Sequence, residues 1–531
     1  MTEKVNPLAP TEPILKPKNF REKWGGIIAV QLFLYFGLCF AAVTALPNTL
    51  WDPELKTYTY IIGSLGAWRY GWWLTHTVRS FIYGKFVYPR IRRKGEAVWN
   101  NGWRPRHIHF MMTTYKEQRE TTERVIQSIV REIEAAGVAG TIWLGSSDPV
   151  DEELVINFLQ RIAPELDLNL IVIRQNSPGK RMAIGLILRA MSRHRVKDED
   201  LVVFMDGDFI LAPGCLTKCL PLFKCNPKLQ ALTTDEDVVC IGPKWFSIWL
   251  TMRFAQRRIA MQSHALSGRV LTLTGRLSVF RAYHLKKLAF IRLLEADHLK
   301  HWLWGDFRFL SGDDKSTWYY MLKTGSLMLY VPDALGYTVE VVEGNGLERM
   351  MQNIRRWSGN ILRNGSRALA LGPRRMPFFI WWCLLDQKLS MWTMLVSPVL
   401  ALLVATLKTS AFLIAYIIFI AVTRMLLSLF LFAYSRQVHL SYPLILYLNQ
   451  LINASVKVYC IFRLSKQNWA NRGGQSSTNS ASCWHQRYQN FMASYLTLLF
   501  CSILVSAILL YSGLVTAPDL ELTLTILFRG F

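Results

Sequence analysis

Two acidic triplets are the strongest candidates for chemistry in this chain, Asp206-Gly207-Asp208 and Gly312-Asp313-Asp314. The first follows the apolar run Leu201 to Met205, which predicts a buried strand. Its carboxylates would then emerge at the carboxyl end of a sheet, where open α/β folds bind ligands. Hard oxygen ligands at that edge suit Mg²⁺ or Mn²⁺ carrying a nucleotide diphosphate. We therefore predict that Asp208, with Asp206 beside it, binds a divalent cation.

The second triplet precedes Lys315-Ser316-Thr317 in a pattern typical of a loop that opens a helix. Two adjacent acids raise one another's proton affinity, which makes a carboxylate a useful base near neutral pH. We predict Asp314 as a general base with Asp313 as its partner. Structural explanations stay open for both triplets, because Asp-Gly is common in turns and aspartate often caps helices.

Basic residues flank these acids in the sequence. Gly179-Lys180-Arg181 could donate to phosphate after a flexible turn, or form a solvated basic turn. Further along, the segment from Gln352 to Trp357 joins Arg356 to an indole, a combination that suits a diphosphate and a sugar face. The alternative for that segment is a basic amphipathic stretch at a lipid surface.

The segment from Arg363 to Arg367 has the RxxxR spacing that grips cyclic-di-GMP. The companion Asp-x-Ser-x-x-Gly pattern does not follow it in the sequence. We interpret the segment as a solvated or lipid-facing basic turn. Three cysteines, Cys215, Cys219 and Cys225, do not have zinc-site spacing, and we expect buried thiols there.

The elements that must position these residues belong to an α/β domain from residue 98 to 373. Short β-type runs alternate with helical stretches, one of them from Thr121 to Ala136. This order predicts a parallel sheet wound by helices. The predicted strands are Ile108 to Thr113, Thr141 to Leu144, Leu168 to Ile173 and Leu201 to Met205.

Lipid must surround part of the chain, because 51% of its 531 residues are apolar. The net charge of +24, from 61 Lys+Arg against 37 Asp+Glu, is explained first by cytoplasmic loops that follow the positive-inside rule, rather than by nucleic acid. The basic amino terminus is then cytoplasmic. We predict five spans, at Trp24 to Leu46, Tyr58 to Tyr83, Trp392 to Leu407, Ala411 to Ala433 and Ser494 to Val515.

The run from Tyr442 to Phe462 is ambiguous, because Asn449, Asn453 and Lys457 would be costly in lipid. We expect an interfacial or channel-lining helix. The domain plan is thus a tail with two spans at 1–97, the α/β domain at 98–373, and interfacial and spanning helices at 374–531.

These residues resemble the processive family 2 glycosyltransferases, which include cellulose, hyaluronan and alginate synthases. The alginate (polymannuronate) synthase type is the most similar. The long stretches that carry the likeness are 179–193, 253–282, 307–325, 355–372 and 386–398. The resemblance implies a GT-A (nucleotide-diphospho-sugar transferase) domain inserted in a multi-pass α-helical membrane domain of the bacterial inner membrane, with the catalytic domain cytoplasmic.

Carried over residue by residue, the resemblance implies Asp208 as metal ligand, Asp314 as base, and Arg356 with Trp357 at the acceptor and diphosphate. The Tyr-Asn-Glu loop of the family corresponds to Tyr115 and Glu117, and its gating loop to Trp469 and Arg472. Two patterns depart from the family. One extra residue separates Gln352 from Arg356-Trp357, and the Asp-Asp-Gly-Ser loop is replaced by a segment ending in Asp148, a candidate base or ribose contact.

The expected activity is inverting, processive transfer of sugar from a nucleotide donor, preferably GDP-mannuronate, to a growing polysaccharide that the chain's own helices pass across the membrane. Alternatives are a cellulose- or hyaluronan-type synthase using a UDP-sugar, a non-processive transferase acting on a lipid carrier, and a transport or sensing subunit without catalysis. The resemblance also implies a cyclic-di-GMP-binding membrane partner and export proteins.

Overall fold

A computed structural model of the chain describes residues 26–176, 179–194, 196–469, 475–476 and 483–516. It divides into two compact units. The described part of the first unit comprises residues 76–384 and the segment that begins at 464, and the second comprises residues up to 75, 385–463 and the stretch after 480. The α/β range predicted from the sequence, 98–373, falls within the first unit.

The first unit is built on an eight-stranded sheet with strand order β3-β2-β1-β4-β7-β6-β10-β5. Two two-stranded ribbons, β8-β9 and β11-β12, accompany it. In chain order the strands are β1 Ile108–Thr113, β2 Gly140–Ser146, β3 Leu168–Arg174, β4 Leu201–Asp206, β5 Phe209–Leu211, β6 Leu229–Ile241, β7 Leu277–Arg281, β8 His298–His301, β9 Gly305–Arg308, β10 Leu327–Val341, β11 Asn468–Trp469 and β12 Gln475–Ser476.

The first four predicted strands are confirmed, and the first has the predicted bounds. They are parallel, with β1 between β2 and β4. The expectation of a parallel sheet is wrong beyond them, because β7 runs antiparallel to β4 and β6, and β5 antiparallel to β10. The sheet is therefore mixed. Hydrophobic runs mark buried strands but carry no information on their direction.

Helices cover the sheet and continue into the second unit. In chain order they are α1 Gly26–Thr44, α2 Pro53–Ile82, α3 Tyr88–Asn100, α4 Arg119–Ala136, α5 Pro149–Ile162, α6 Lys180–Arg193, α7 Cys215–Cys225, α8 Lys244–Ala265, α9 Ala282–Leu285, α10 Leu288–Glu295, α11 Asp313–Lys323, α12 Gly346–Leu369, α13 Phe378–Leu407, α14 Ala411–Tyr434, α15 Tyr442–Ile461 and α16 Cys483–Ser512. A 3₁₀ turn, Asn48–Trp51, and a π turn, Tyr83–Val87, lie beside α2.

Helix α4 shows why these elements form where they do. Its Val125, Ile129 and Ile133 recur at four-residue spacing and are fully buried against the sheet side of the unit. The helix ends at Gly137, whose φ of 61° is left-handed, the conformation that favours glycine after a helix.

Four helices of the described chain are long and apolar enough to cross a membrane, at Phe378–Leu407, Ala411–Tyr434, Tyr442–Ile461 and Trp484–Ser512, with a shorter apolar helix at Ile28–Thr44. The protein is thus membrane-associated. The helix Tyr442–Ile461 is the least apolar of the four, with a mean hydropathy of 1.3 against 2.3 for Ala411–Tyr434. Its interfacial or channel-lining role, and the predicted count of five spans, remain predictions.

Two arginines of the second unit have polar partners within it. Arg69 Nη1 lies 2.7 Å from Asp386 Oδ1, and Arg424 donates to the Tyr70 hydroxyl at 2.6 Å. Charged groups inside such helices are costly unless paired. Helix α2, which carries Arg69, is less apolar than the four candidate spans, so its predicted crossing at Tyr58 to Tyr83 also remains a prediction.

Candidate functional site

The first acidic triplet lies where β4 ends. Gly207 donates its N–H to the Thr113 carbonyl at 3.0 Å, at the end of neighbouring β1. A Cβ on Gly207 would lie 2.7 Å from that oxygen, so only glycine allows this approach. The ends of β4 and β1 therefore approach closely at Gly207, and Asp206 and Asp208 flank this point in the sequence.

The second triplet opens helix α11. Gly312 has a φ of 81° and occupies the position before the helix, while Asp313 and Asp314 are its first two residues. The structure thus differs from the capping alternative, because the cap position is Gly312 and neither aspartate occupies it. The helix N-terminus favours negative charge on both carboxylates.

One lysine joins the two triplets. Lys180, the first residue of α6, places Nζ 2.6 Å from Asp206 Oδ1 and 3.0 Å from Asp313 Oδ2. Asp206, Asp313, Asp314 and Lys180 line one cavity together with the backbone at Gly275. Acidic residues more than a hundred positions apart in the sequence therefore converge at the carboxyl end of β4.

The two aspartates of α11 differ in their protonation. Burial opposes ionisation of Asp313, but the charges of Lys180 and Arg181 outweigh it and hold the pKa of that carboxyl below its usual value. Burial and then the neighbouring Asp313 charge raise the pKa of Asp314. Of the pair, Asp314 is the better proton acceptor. The same contacts raise the pKa of Lys180 despite its burial, so it remains a cation.

Asp208 is the second unusual acid. Burial, followed by the charge of Asp206, raises the pKa of Asp208 to about 6, while Arg276 and Lys180 act in the opposite direction. Two neighbouring, half-buried carboxylates fit a hard divalent cation, which would neutralise both. Asp206 and Asp208 are accordingly the residues of this site that could hold a metal.

Arg181 has a different role from its neighbour Lys180. Its buried guanidinium donates to the carbonyls of Leu294 and Ser311 and to Ser316 Oγ, each at 3.0 Å. It therefore fixes the first turns of α11 rather than facing solvent. The expectation of phosphate donors or a solvated turn at this position is wrong for Arg181, because the side chain is directed into the protein.

Arg356 and Trp357 lie on α12. The Trp357 ring stacks on Trp249 with centroids 6.1 Å apart and planes at 21°, and the Arg253 guanidinium lies 4.5 Å from the Trp357 centroid. Arg356 donates to Asn353 Oδ1 at 3.2 Å. Burial and then the charge of Arg349 lower the pKa of Arg356. Both residues pack within the first unit. This supports the interpretation of the segment as a platform and argues against a stretch at a lipid surface.

The charge of Arg356 also interacts with those of Arg276 and Asp314, so it lies within electrostatic range of the second triplet. Gln352 is exposed and donates to Glu348 Oε1 at 3.2 Å, one turn earlier in α12. Gln352 therefore lies at the surface of α12 in this chain.

The segment Arg363 to Arg367 is not a basic turn. Arg363 and Arg367 both belong to α12. Arg363 is 2% exposed and donates to the Leu464 carbonyl at 3.0 Å. Arg367 lies 2.8 Å from the buried Asp297. The expectation of a solvated or lipid-facing turn is wrong, because these guanidiniums tie α12 to its neighbours inside the unit.

The resemblance-based residues at the loops after β1 and β2 have local structural contacts. Lys116, between Tyr115 and Glu117, has a φ of 50° and donates its N–H to Asp151 Oδ2 at 2.7 Å. Asp148 accepts from the Val150 N–H at 3.0 Å and so caps helix α5.

Tyr115, Glu117 and Asp148 do not line the cavity that contains Asp206, Asp313 and Asp314, and neither do Asp208, Arg356 and Trp357. Trp469 lies in β11, where its backbone pairs with Gln475. Arg472 lies outside the described residues. Roles for Tyr115, Glu117, Asp148, Trp469 and Arg472 remain predictions.

Sequence reasoning missed three residues near the site. Asp151 is buried and positions the loop after β1 through Lys116. At Gly275 a Cβ would lie 3.4 Å from Lys180 Nζ and 3.5 Å from Asp313 Oδ2, and Arg276 accepts from the Asp206 N–H at 3.4 Å through its carbonyl. The glycine before β7 was the available signal, since glycine beside a strand often marks a close approach.

Comparison with known proteins shows the family to which this chain belongs. A family model described as glycosyltransferase-like family 2 matches residues 105–360. The chain is 37% identical over 495 residues to glycosyltransferase alg8 of Pseudomonas syringae pv. tomato, covering 92% of this chain and 100% of that protein. It is 36% identical over 483 residues to glycosyltransferase alg8 of Azotobacter vinelandii, covering 91% and 98%.

Among solved structures, the mannosyltransferase PcManGT from Pyrobaculum calidifontis, determined with GDP-Man and Mn²⁺, matches with a TM-score of 0.46 and 17% identity, covering 75% of this chain and 98% of that one. The identity to the alg8 proteins extends over nearly their full length. The chain therefore belongs to the family 2 glycosyltransferases, in the group of the curated alg8 proteins.

Proposed function

We propose that this glycosyltransferase is an inverting, processive polysaccharide synthase that transfers mannuronate from GDP-mannuronate to a growing polymer and passes that polymer across the inner membrane. The observation that carries the proposal is the convergence of Asp206, Asp313 and Asp314 on one cavity, with Lys180 paired to the first two. A metal-binding pair and a base must act on the same donor sugar, and this arrangement provides both.

In the proposed reaction Asp206 and Asp208 hold Mg²⁺ or Mn²⁺, which when bound neutralises charge on the departing nucleotide diphosphate. Asp314 accepts the proton of the acceptor hydroxyl as that hydroxyl attacks the anomeric carbon. The raised pKa of Asp314 suits this role. Lys180 pairs with both Asp206 and Asp313, so it keeps the two carboxylates at a fixed separation across the cavity.

The acceptor end of the polymer is assigned to the platform of Trp357 and Arg356. An aromatic face next to guanidinium groups suits an anionic sugar, since the ring supports the sugar face and the cations attract its carboxylate. Arg253 and Arg276 add positive charge beside that platform. This favours a uronate donor over the neutral sugars of cellulose-type synthases.

The test of the base uses a matched pair of variants. Asp314→Asn should reduce incorporation of labelled mannuronate by about 10²–10⁴-fold, the usual contribution of general base catalysis, while donor binding stays near that of the unchanged protein. Asp313→Asn removes the ion pair with Lys180 instead, so it should weaken donor binding as well. Full synthesis by Asp314→Asn would refute the assignment.

Donor and product are tested separately. Membranes that contain the protein are supplied with GDP-mannuronate or with UDP-sugars, and the product is analysed for composition and length. Long polymannuronate from the GDP donor alone supports the proposal. Incorporation from UDP-sugars would favour a cellulose- or hyaluronan-type activity, and a single sugar on lipid a non-processive transferase. The partners in this proposal are a cyclic-di-GMP-binding membrane protein and export proteins.

A further inference from the structure

A cluster of soft metal ligands lies in the first unit, apart from the acidic triplets. His76, His264 and Cys383 each offer a ligand atom, and these atoms all lie within 4.8 Å of one another. They come from three helices, α2, α8 and α13. The spacing in the sequence, which spans more than three hundred positions, gives no motif that would reveal the cluster.

We propose that His76, His264 and Cys383 form a binding site for a thiophilic metal ion, Cu⁺ or Zn²⁺. The bound ion would link both ends of the 76–384 segment to helix α8. Two imidazoles and a thiolate are the donors that both ions prefer, whereas Mg²⁺ and Ca²⁺ require oxygen ligands. The site is therefore chemically distinct from the pair of aspartates proposed for the nucleotide diphosphate.

The ring of His76 is oriented for metal binding. Its Nδ1 lies 3.0 Å from Ser263 Oγ, and its Nε2 lies 4.0 Å from Cys383 Sγ. In the tautomer in which Nδ1 donates to that hydroxyl, Nε2 presents its lone pair, as metal-binding histidines do. Ser263 is fully buried, so this orientation is enforced by packing.

His264 supplies an independent observation. The residue is only 6% exposed, and within the described part of the chain its Nδ1 has no hydrogen-bond partner. Buried polar atoms are nearly always paired, so an unpaired ring nitrogen beside a thiol and a second imidazole points to a ligand.

The distances require only a small closure. With metal–nitrogen and metal–sulfur bonds of about 2.0 and 2.3 Å, nitrogen and sulfur ligands of one ion lie about 3.5–3.8 Å apart. The His76–Cys383 pair, at 4.0 Å, needs to close by a few tenths of an ångström. Cys383 is 3% exposed, so the thiol lies inside the protein.

The local charge favours copper of the two ions. The Arg79 guanidinium stacks on Phe379 at 3.7 Å and donates to the Ser263 carbonyl at 3.1 Å, so the surroundings already hold one positive charge. Cu⁺ with a thiolate is neutral, whereas Zn²⁺ with a thiolate adds another positive charge. Three donors also match the trigonal coordination of Cu⁺ better than the four ligands of structural zinc.

The experiment measures metal content directly. The full chain is purified in detergent through a tag that lacks histidine, dialysed against a weak chelator, and analysed by inductively coupled plasma mass spectrometry. We expect about one copper or zinc ion per chain, and elemental identity distinguishes the two. Cys383→Ser and His264→Asn should each lose at least nine-tenths of that metal, since each removes a donor of a three-ligand site.

Two control variants keep the test specific. His284→Asn removes another buried histidine, whose Nδ1 has no partner among the described residues either, and Cys219→Ser removes a buried thiol on α7; both should retain the metal. If a variant of the site unfolds, Co²⁺ added to the metal-stripped unchanged protein should still give a thiolate-to-metal charge-transfer band. Absence of both bound metal and that band, or equal metal in all variants, would overturn the proposal.

Discussion

Removing the lysine that bridges the two triplets should tighten metal binding while it slows sugar transfer. Lys180 Nζ lies 2.6 Å from Asp206 Oδ1, so a divalent ion on the same carboxylate would lie roughly 5 Å from the ammonium. At that separation a single and a double positive charge repel by about 1.7 kcal/mol in a water-like dielectric. Lys180→Met should therefore lower the Kd for Mn²⁺ by roughly 16-fold.

The rate should move in the opposite direction. Without the ammonium, Asp206 and Asp313 lose the shared partner at 2.6 and 3.0 Å and repel each other across the cavity. Breaking such a buried ion pair typically costs about 3–5 kcal/mol, and the partial exposure of these side chains, 14–28%, favours the lower end. We expect transfer to fall by roughly 100-fold, because the acids no longer keep their separation.

The affinity is measured by electron paramagnetic resonance titration of Mn²⁺ into the full chain without nucleotide, at pH 8 so that the carboxylates are ionised. Lys180→Arg is the matched control, because it keeps the positive charge and should leave the Kd within a few-fold of the original. A weaker or unchanged Kd in Lys180→Met would contradict the geometry, since it would mean that the ammonium and the metal do not share Asp206.

Three further outcomes test other parts of the site. Because the pKa of Asp208 is raised to about 6, its carboxylate is available above that pH, so transfer at limiting Mn²⁺ should decline as the pH falls through about 6, and excess Mn²⁺ should move the decline to lower pH. Gly207→Ala should destabilise the protein by about 2–3 kcal/mol through backbone contact, seen as a lower unfolding temperature, whereas Gly365→Ala, with open space at its Cβ, should not. Arg181→Met should reduce kcat with little change in the KM for donor, because its guanidinium positions α11 from within the protein; Arg189→Met, at a partly exposed ion pair, serves as the control.

Local chemistry in the sequence was sufficient to locate the strand ends and the acids. The run before Asp206 predicts β4 because five consecutive apolar residues are long enough for a buried strand, and Gly207 marks the turn that follows. The helix start at Asp313 was predictable for a similar reason. These signals lie within a few residues of the groups they position, so short windows capture them.

The residues that depend on distant packing were beyond sequence reasoning. Whether Lys180 or Arg181 would face the acids depends on which side of α6 meets α11, and both are basic residues at adjacent positions. The burial of Arg363 depends in the same way on the Leu464 carbonyl a hundred residues later. Strand direction at β7 was likewise undetermined, because it follows from the path of the chain after α8.

The close fit between the start of α11 and the middle of α12 has a mechanical consequence. A Cβ on Gly312 would lie 2.7 Å from the Asn360 side chain, and Ser311 donates to Asn360 Oδ1 at 3.0 Å. Helix α12, which carries Trp357, and helix α11, which carries Asp314 in its first turn, therefore fit closely together. Under the proposed function, a polymer end that moves α12 would therefore also move Asp314, so occupancy of the product path would set the alignment of the next addition.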